Sequence, residues 1–175
     1  MNLSTNRLEL EQLSGSHAPQ LFDLLQSSEL YNYISDFPPS DIEALVVRYE
    51  RLSLGVSPNG EERWLNWAIK LRNNSVYIGY VQATVLNTGF ATIAYLIASD
   101  YWRQGYAKEA TAKMIEYLKG TYNLLGLQAT VDPENIPSIK LLTSLGFARS
   151  GIRKQAVCMG GVWHDEWDYQ LVFSS

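Results

Sequence analysis

The spacing of apolar residues along this chain changes period repeatedly, and each change marks an element. From Arg7 to Leu13 the residues alternate, with Leu8 and Leu10 on one face, which predicts a first strand. Ser16 stands where it would cap a helix from about His17 to Gln26, whose apolar stripe is Leu21, Leu24 and Leu25. The segment Tyr31-Asn-Tyr-Ile-Ser-Asp-Phe-Pro-Pro reads as loop, with more aromatics than a plain linker carries. Ser40-Asp-Ile-Glu43 has the form of a capping box and opens a helix to about Leu54; Gly55-Val-Ser-Pro-Asn-Gly then breaks the pattern with turn residues.

Three strands follow closely. Trp64 to Leu71 puts Leu65, Trp67, Ile69 and Leu71 on one face, Asn73-Asn74 turns the chain into Val76 to Val85, and Asn87-Thr-Gly turns it again into Ala91 to Ala98. Residues 93 to 98 are apolar on both faces, as a central strand requires. Gly105 then opens an amphipathic run in which Ala107, Ala110, Met114 and Leu118 recur at helical spacing, with Gly120 placed as its C-cap. A strand from Leu127 to Val131 ends at Asp132-Pro133. Asn135 caps a helix through Leu145, with Pro137 in the first turn, where its missing donor costs nothing. Gly146 ends that helix, Phe147 begins a sixth strand, and Gly160-Gly161 turns the chain back into Trp163 to Phe173. The order βααβββαβαββ predicts one α+β domain over residues 1–175, with a mixed, mostly antiparallel sheet of about seven strands flanked by about four helices.

Composition adds limits to this picture. At 175 residues, with 46% apolar and 18% charged, the chain can bury a core unaided and is neither disordered nor membrane-spanning. The start MNLSTNRLEL lacks the basic and apolar regions of a signal peptide, and a single cysteine, Cys158, suits a reducing compartment, so a cytoplasmic location is expected. One cysteine and two histidines argue against a structural zinc site, and no metal is expected. The net charge of −4 argues against general nucleic-acid binding. Residues 101 to 154 hold eight Lys/Arg against four Asp/Glu, which leaves six against fourteen elsewhere. That split suits an anionic ligand on the basic segment and a cationic one facing the rest.

The helix opening at Gly105 is the first candidate site. Its first turn offers unpaired backbone N–H groups beside Arg103 and Lys108, and no acid precedes Glu109, an arrangement suited to a phosphate. In the last strand Trp163, Asp165, Trp167, Tyr169, Leu171 and Phe173 share a face, so Asp165 is a carboxylate on an apolar face and a candidate general base. His164 alternates to the other face and reads as a surface histidine; Cys158 reads as a buried, inert thiol. Trp64, Trp67, Tyr31, Tyr33 and Asp36 are candidates for lining an acceptor cleft, or, for the aromatics, core residues.

Trp102-Arg103-Gln104-Gly105-Tyr106-Ala107, followed by Lys108-Glu-Ala, resembles the pyrophosphate loop of the GNAT acetyltransferase superfamily, Gln/Arg-x-x-Gly-x-Gly/Ala. Its wording is similar to the Rim-type branch, which includes ribosomal-protein N-terminal acetyltransferases. Trp102 takes the Gln/Arg slot. Asn135-Ile-Pro-Ser138-Ile-Lys-Leu141, continuing to Gly146-Phe147, resembles the family's Asn-x-x-Ser/Ala-x-x-Leu…Gly-Phe helix, and the element order matches the GNAT fold. The resemblance implies acetyl-CoA as acetyl donor, with its pyrophosphate on Arg103, Gln104, Gly105, Tyr106, Ala107 and Lys108. It implies that Asn135 and Ser138 contact the pantetheine arm. It also implies a strand splayed from its neighbour, with backbone N–H groups near Leu96, Ile97 and Ala98 holding the pantetheine and the thioester carbonyl. The reaction implied is direct attack by a primary amine, either a protein N-terminal α-amine or a small-molecule amine, in a ternary complex. Two departures stand out. Leu142 occupies the place of a tyrosine that protonates the leaving thiolate in many relatives, so Ser138 is carried over for that role. Val157 lies nearest to an acidic residue found in some Rim relatives. These departures keep open a rival reading, a non-catalytic acyl-CoA-binding sensor or subunit. The acceptor's identity and the oligomeric state, a homodimer included, stay open.

Overall fold

The computed structural model describes residues 1–173. Two residues at the start form β1 (Leu3–Ser4), which pairs with β2 (Leu8–Gln12); Leu8 and Leu10 alternate inward and are fully buried. After the N-terminal helical layer, β3 (Arg63–Leu71), β4 (Tyr77–Val85) and β5 (Phe90–Ile97) make the expected antiparallel meander. Next come α3 (Tyr106–Thr121), β6 (Gly126–Val131), α4 (Ile136–Ser144), β7 (Ala148–Met159) and β8 (Val162–Val172); before them lie α1 (Ala18–Leu21) and α2 (Ile42–Ser53). The single sheet runs β1-β2-β3-β4-β5-β6-β8-β7, antiparallel everywhere except between β5 and β6. The α+β arrangement is the one the pattern predicts. The eighth strand is β1, two residues that alternation cannot reveal.

The sheet has a core on each face. One combines Trp67, Ile69, Val81, Ile93, Ile97, Leu127, Ala129 and Val131 with Met114 and Leu118 of α3 and Leu142 of α4. The other combines Ala68 and Leu96 with Leu21, Leu25, Leu45 and Tyr49 from the α1–α2 layer. Burying these apolar stripes at about 25 cal/mol per Å² is what holds helices to sheet. Below the α1–α2 layer, Glu11 accepts from the Tyr77 hydroxyl at 2.5 Å and pairs with Lys70 and His17, tying the first helical turns to β2–β4.

Four local expectations are corrected. The helix over residues 17 to 26 is instead a 3-10 turn (Gly15–His17), the one-turn α1 and a second 3-10 turn (Leu24–Gln26). Leu25 N–H bonds Phe22 O rather than Leu21 O, so the tighter turns carry Leu21, Leu25 and Leu30 around the curve of α2. Ser14, not Ser16, caps this segment, in a reciprocal pairing with His17. At α2 the cap is Asp41, which accepts from Ala44 N–H at 2.7 Å, while Ser40 donates to the same carboxylate. Gly120 lies within α3, which continues to Thr121.

The feature that positions a site is where β5 leaves β6. Only Phe90, Ala91 and Thr92 pair with Gly126, Leu127 and Gln128; beyond them the two strands part. On its other side β5 stays paired with β4 as far as Gly79↔Ile97. Gly79 permits that close approach: at φ +153 a Cβ there would lie 2.0 Å from the Leu96 carbonyl oxygen.

Candidate active site

From Ile93 to Ile97, β5 has a free edge facing the gap. Ala98 N–H bonds Ile78 O at 2.8 Å, and Leu86 N–H bonds Phe90 O, so the even residues of β5 direct their backbone groups to β4. The odd residues, Tyr95 and Ile97, therefore direct theirs into the opening. This corrects the expected set: the N–H of Ala98, and by alternation that of Leu96, belongs to the sheet, whereas Ile97 N–H faces the gap and Tyr95 joins it. The Ile97 carbonyl accepts from Trp102 Nε1 at 2.6 Å, fixing the start of the following loop.

That loop ends in two left-handed residues. Arg103 sits at φ +59 and Gly105 at φ +81, which turns successive N–H groups toward one side. No side chain caps α3, and its first ladder bond is Glu109 N–H to Gly105 O, so the N–H groups of Tyr106, Ala107 and Lys108 remain available. Arg103, Gln104, Gly105 and Lys108 are exposed around them. This geometry fits a pyrophosphate. The free β5 edge leads into it, so a pantetheine chain would run from the gap to the helix end.

The sequence alone did not reveal what braces the loop. Arg7, from the turn between β1 and β2, donates through Nη1 to Gln104 O at 3.0 Å and through Nε to Glu109 Oε2 at 2.6 Å, with its guanidinium 4.5 Å over the Tyr106 ring. Glu109 also accepts from Thr5 Oγ1 at 2.5 Å. Burial alone would raise the Glu109 carboxyl, but the hydrogen bonds from Thr5 and Arg7 together outweigh it and hold it below its usual value. Arg7 thereby offsets the one anion in the first turn of α3. An arginine 97 positions before Gln104 carries no local signal of this role.

On the α3–α4 face of the gap, Asn135 caps α4 by accepting from Ser138 N–H at 3.2 Å, which leaves its amide N–H groups free to donate. Leu142 is 1% exposed and belongs to the core, so it has no part in proton transfer. A phenol arrives instead from β5: Tyr95 Oη lies 2.6 Å from Ser138 Oγ. Burial pushes the Tyr95 hydroxyl up to about 12, against the pull of the Ser138 bond, so it keeps its proton.

The opposite face, covered in part by α1 and α2, holds different groups. Odd residues of β8 (Trp167, Tyr169, Leu171) pack with the α3–α4 core, so Asp165 is on that side and His164, Glu166 and Asp168 are on the other. Asp165 is bonded by Lys154 Nζ at 2.6 Å and Gln155 N–H at 3.0 Å, and these hold its carboxyl below the usual range. An anion kept ionised by an ammonium is a poor proton acceptor, which counts against Asp165 as the base. Asp168 is likewise committed, to Arg153 and Thr130.

His164 is no free surface residue. Its Nδ1 lies 3.1 Å from Oδ2 of Asp132, a carboxylate just past the end of β6 that is 5% exposed. Val157, the non-acidic departure, pairs directly opposite His164. Neither Asp132 nor His164 stands out alone; only the β6–β8 register unites them.

Under α2, Tyr31, Asp36, Arg48, Tyr49, Tyr80 and Gln82 line a recess with about 10 Å³ of free space, room for one water. The Tyr49 hydroxyl is buried there without a partner among the described residues, and Asp36 pairs with Arg48 at 2.9 Å. Tyr31 and Asp36 thus line one recess together, as the acceptor-cleft expectation grouped them. Trp67 does not: it is buried in the α3 core, while Trp64 lines a separate recess beside Met1 and Tyr33 is exposed. Cys158 is exposed rather than buried.

Residues 7–148 match the family model described as acetyltransferase (GNAT) domain. The chain is 26% identical over 172 residues to the uncharacterised N-acetyltransferase YoaA of Bacillus subtilis, covering 97% of this chain and 96% of YoaA. It is 30% identical over 155 residues to the uncharacterised N-acetyltransferase p20 of Bacillus licheniformis, covering 86% of this chain and 84% of p20. The fold superposes on that of RimL, a ribosomal α-N-protein acetyltransferase in complex with coenzyme A, with a TM-score of 0.86 at 18% identity, covering 98% of both chains.

Proposed function

The chain belongs to the GNAT acetyltransferase family and is an N-acetyltransferase, and from that premise we propose that it transfers the acetyl group of acetyl-CoA to a primary amine by direct attack in a ternary complex. One observation carries this reading. Two groups of available backbone N–H donors, Tyr95 and Ile97 on the free β5 edge and the uncapped first turn of α3, lie on one stretch of chain. Such an arrangement suits a ligand that is extended at one end and anionic at the other.

Acetyl-CoA supplies an activated thioester: the nitrogen–carbonyl carbon bond forms, the carbon–sulfur bond breaks, and sulfur leaves as thiolate. An acceptor ammonium loses two protons overall, one before attack and one that ends on the sulfur. The chain's residues serve these needs in turn. Arg103, Gly105, Tyr106, Ala107 and Lys108 hold the pyrophosphate by backbone N–H and charge. The N–H of Tyr95 or Ile97 stabilises charge developing on the carbonyl oxygen, since a preset backbone donor needs no reorganisation as that charge appears. Tyr95 and Ser138, joined at 2.6 Å, return a proton to the sulfur, which answers the absence of a tyrosine at Leu142 and takes weight from the sensor reading.

The acceptor we favour is the α-amine of a protein N-terminus. The face bearing Asp132, His164, Glu166 and Asp168 is rich in carboxylates, which suits a cationic amine, and RimL is an acetyltransferase of a ribosomal-protein α-amine. Calorimetric titration with acetyl-CoA, then thiol release with N-terminal peptides and small amines, tests this. Binding with release on peptides is expected. Binding without release on any amine would favour the sensor, and no binding would remove the cradle.

A further inference from the structure

Before attack, the acceptor ammonium must lose a proton, and the sequence offered only Asp165 for that step. We propose that His164 is the general base, with Asp132 as the residue that positions it; this rests on the acetyl-transfer reading above. Asp132 Oδ1 accepts the Glu134 N–H at 2.7 Å and Oδ2 lies 3.1 Å from His164 Nδ1, so both oxygens of this buried carboxylate are directed by the fold. A carboxylate at Nδ1 keeps the proton on that nitrogen and leaves Nε2 as the acceptor lone pair. Nε2 has no hydrogen-bond partner among the described residues, and the His164 side chain is 28% exposed.

The strand register puts this pair at the mouth of the gap. β6 runs beside β5 with Thr92 opposite Gln128, which brings Asp132 level with Leu96. β8 pairs Trp167 with Val131, the last residue of β6, so His164 extends past that strand's end. The side chains of Asp132 and His164 share the face of Thr130 and Asp168, which is also the face of Leu96 and the α1–α2 layer.

The charged groups of β8 and of the α2 wall are occupied. Glu166 and Asp168 both pair with Arg153, Asp165 pairs with Lys154 on the reverse side, and Asp36 pairs with Arg48 on the α2 wall. Glu134 is exposed on the turn that leads away into α4. The imidazole Nε2 is therefore a titratable acceptor on this face that no ion pair or hydrogen bond occupies among the described residues. In the step proposed, Nε2 takes one proton from the ammonium, directly or through one water, and the neutral amine then attacks. The imidazolium returns its proton to solvent after the acetyl group has moved.

The test is the pH dependence of kcat/KM for wild type, His164→Gln and Asp132→Asn, with acetyl-CoA affinity measured calorimetrically on each. His164→Gln should lower kcat/KM about 100-fold near neutrality, at the low end of what a positioned base contributes, and remove the acid limb of the profile. The loss should narrow at high pH, where the amine deprotonates unaided, and acetyl-CoA affinity should stay within twofold. Asp132→Asn keeps an oxygen for the Glu134 N–H but presents an NH₂ to Nδ1, which forces the proton to Nε2. It should therefore reproduce most of the loss in a protein that melts normally. An active wild type whose His164→Gln variant keeps its rate and acid limb overturns this inference alone. A wild type silent with every amine overturns it together with the reading it rests on.

Discussion

The two sides of the gap between β5 and β6 are made of different material. The donor side is backbone: the N–H groups of Tyr95 and Ile97, then the uncapped turn after Gly105, all within fourteen consecutive residues, 95 to 108. The proposed acceptor side is side chain: Asp132 and His164, 32 positions apart, meet through the β6–β8 register. A backbone site depends on conformation, and most side-chain exchanges leave it intact unless they force the chain into another shape. A side-chain site tolerates small backbone shifts but not a change of chemistry. Mutations should therefore separate the two sides by what they disturb, binding on one and turnover on the other.

The strongest challenge to the donor side is Gly105→Val. At φ +81 a β-branched residue carries left-handed strain of about 1–2 kcal/mol, and its Cβ would also stand 3.4 Å from Arg7 Nη2. The expected result is at least a 100-fold loss of acetyl-CoA affinity by calorimetry, with only a modest fall in melting temperature. Affinity kept within a few-fold would mean that the phosphate sits elsewhere and that the backbone is not the donor site.

A smaller effect should follow from Arg7→Lys. Lysine keeps the charge but cannot bond Gln104 O and Glu109 together while lying flat on Tyr106. The loop then loses its brace and Glu109 part of its neutralisation. We expect a five- to tenfold rise in the acetyl-CoA KM with kcat at saturation nearly unchanged. An equal fall in kcat would instead place Arg7 in the chemistry.

The same contrast explains what could be read from the amino acids. The strand, turn and helix of the proposed donor side were legible because Gly105, the apolar run before it and the helical period after it are neighbours in sequence, and each part predicts the next. The meander and the two closing strands were legible for the same reason. The helix over 17 to 26 was misjudged because its leucines fit a helical stripe equally well when wrapped in 3-10 turns, and only contact with α2 decides between them. The contacts of Arg7, Tyr95 and His164 were not legible because their partners lie 97, 43 and 32 positions away. Periodicity did assign the faces of β8 correctly, with Asp165 beside Trp167 and His164 opposite. It could not show that Lys154 lies against one and Asp132 against the other.

The smallest expected effect sharpens that last point. Asp165 was the sequence's candidate base, and Asp165→Asn tests whether its ion pair is a by-product of the β7–β8 bulge. That irregularity falls between Arg153 and Val157, and it brings Lys154 Nζ and Gln155 N–H onto one carboxylate. The Asn oxygen can still accept the Gln155 N–H, so the bulge keeps one anchor. The lost partner, Lys154, is well exposed, and such pairs contribute little in water. Because Lys154 and Gln155 hold the Asp165 carboxyl below its usual range, it stays ionised across the pH range in which an amine acceptor is activated. Whatever it adds to stability is present at neutral pH and lost only as pH falls through that lowered value. Its removal should leave the acid limb of kcat/KM in place and change the rate less than twofold. A large loss with an altered limb would return the base to the α3–α4 face, beside Tyr95 and Ser138. Both proton transfers would then occur on the donor side, and the division between a backbone side and a side-chain side would fail.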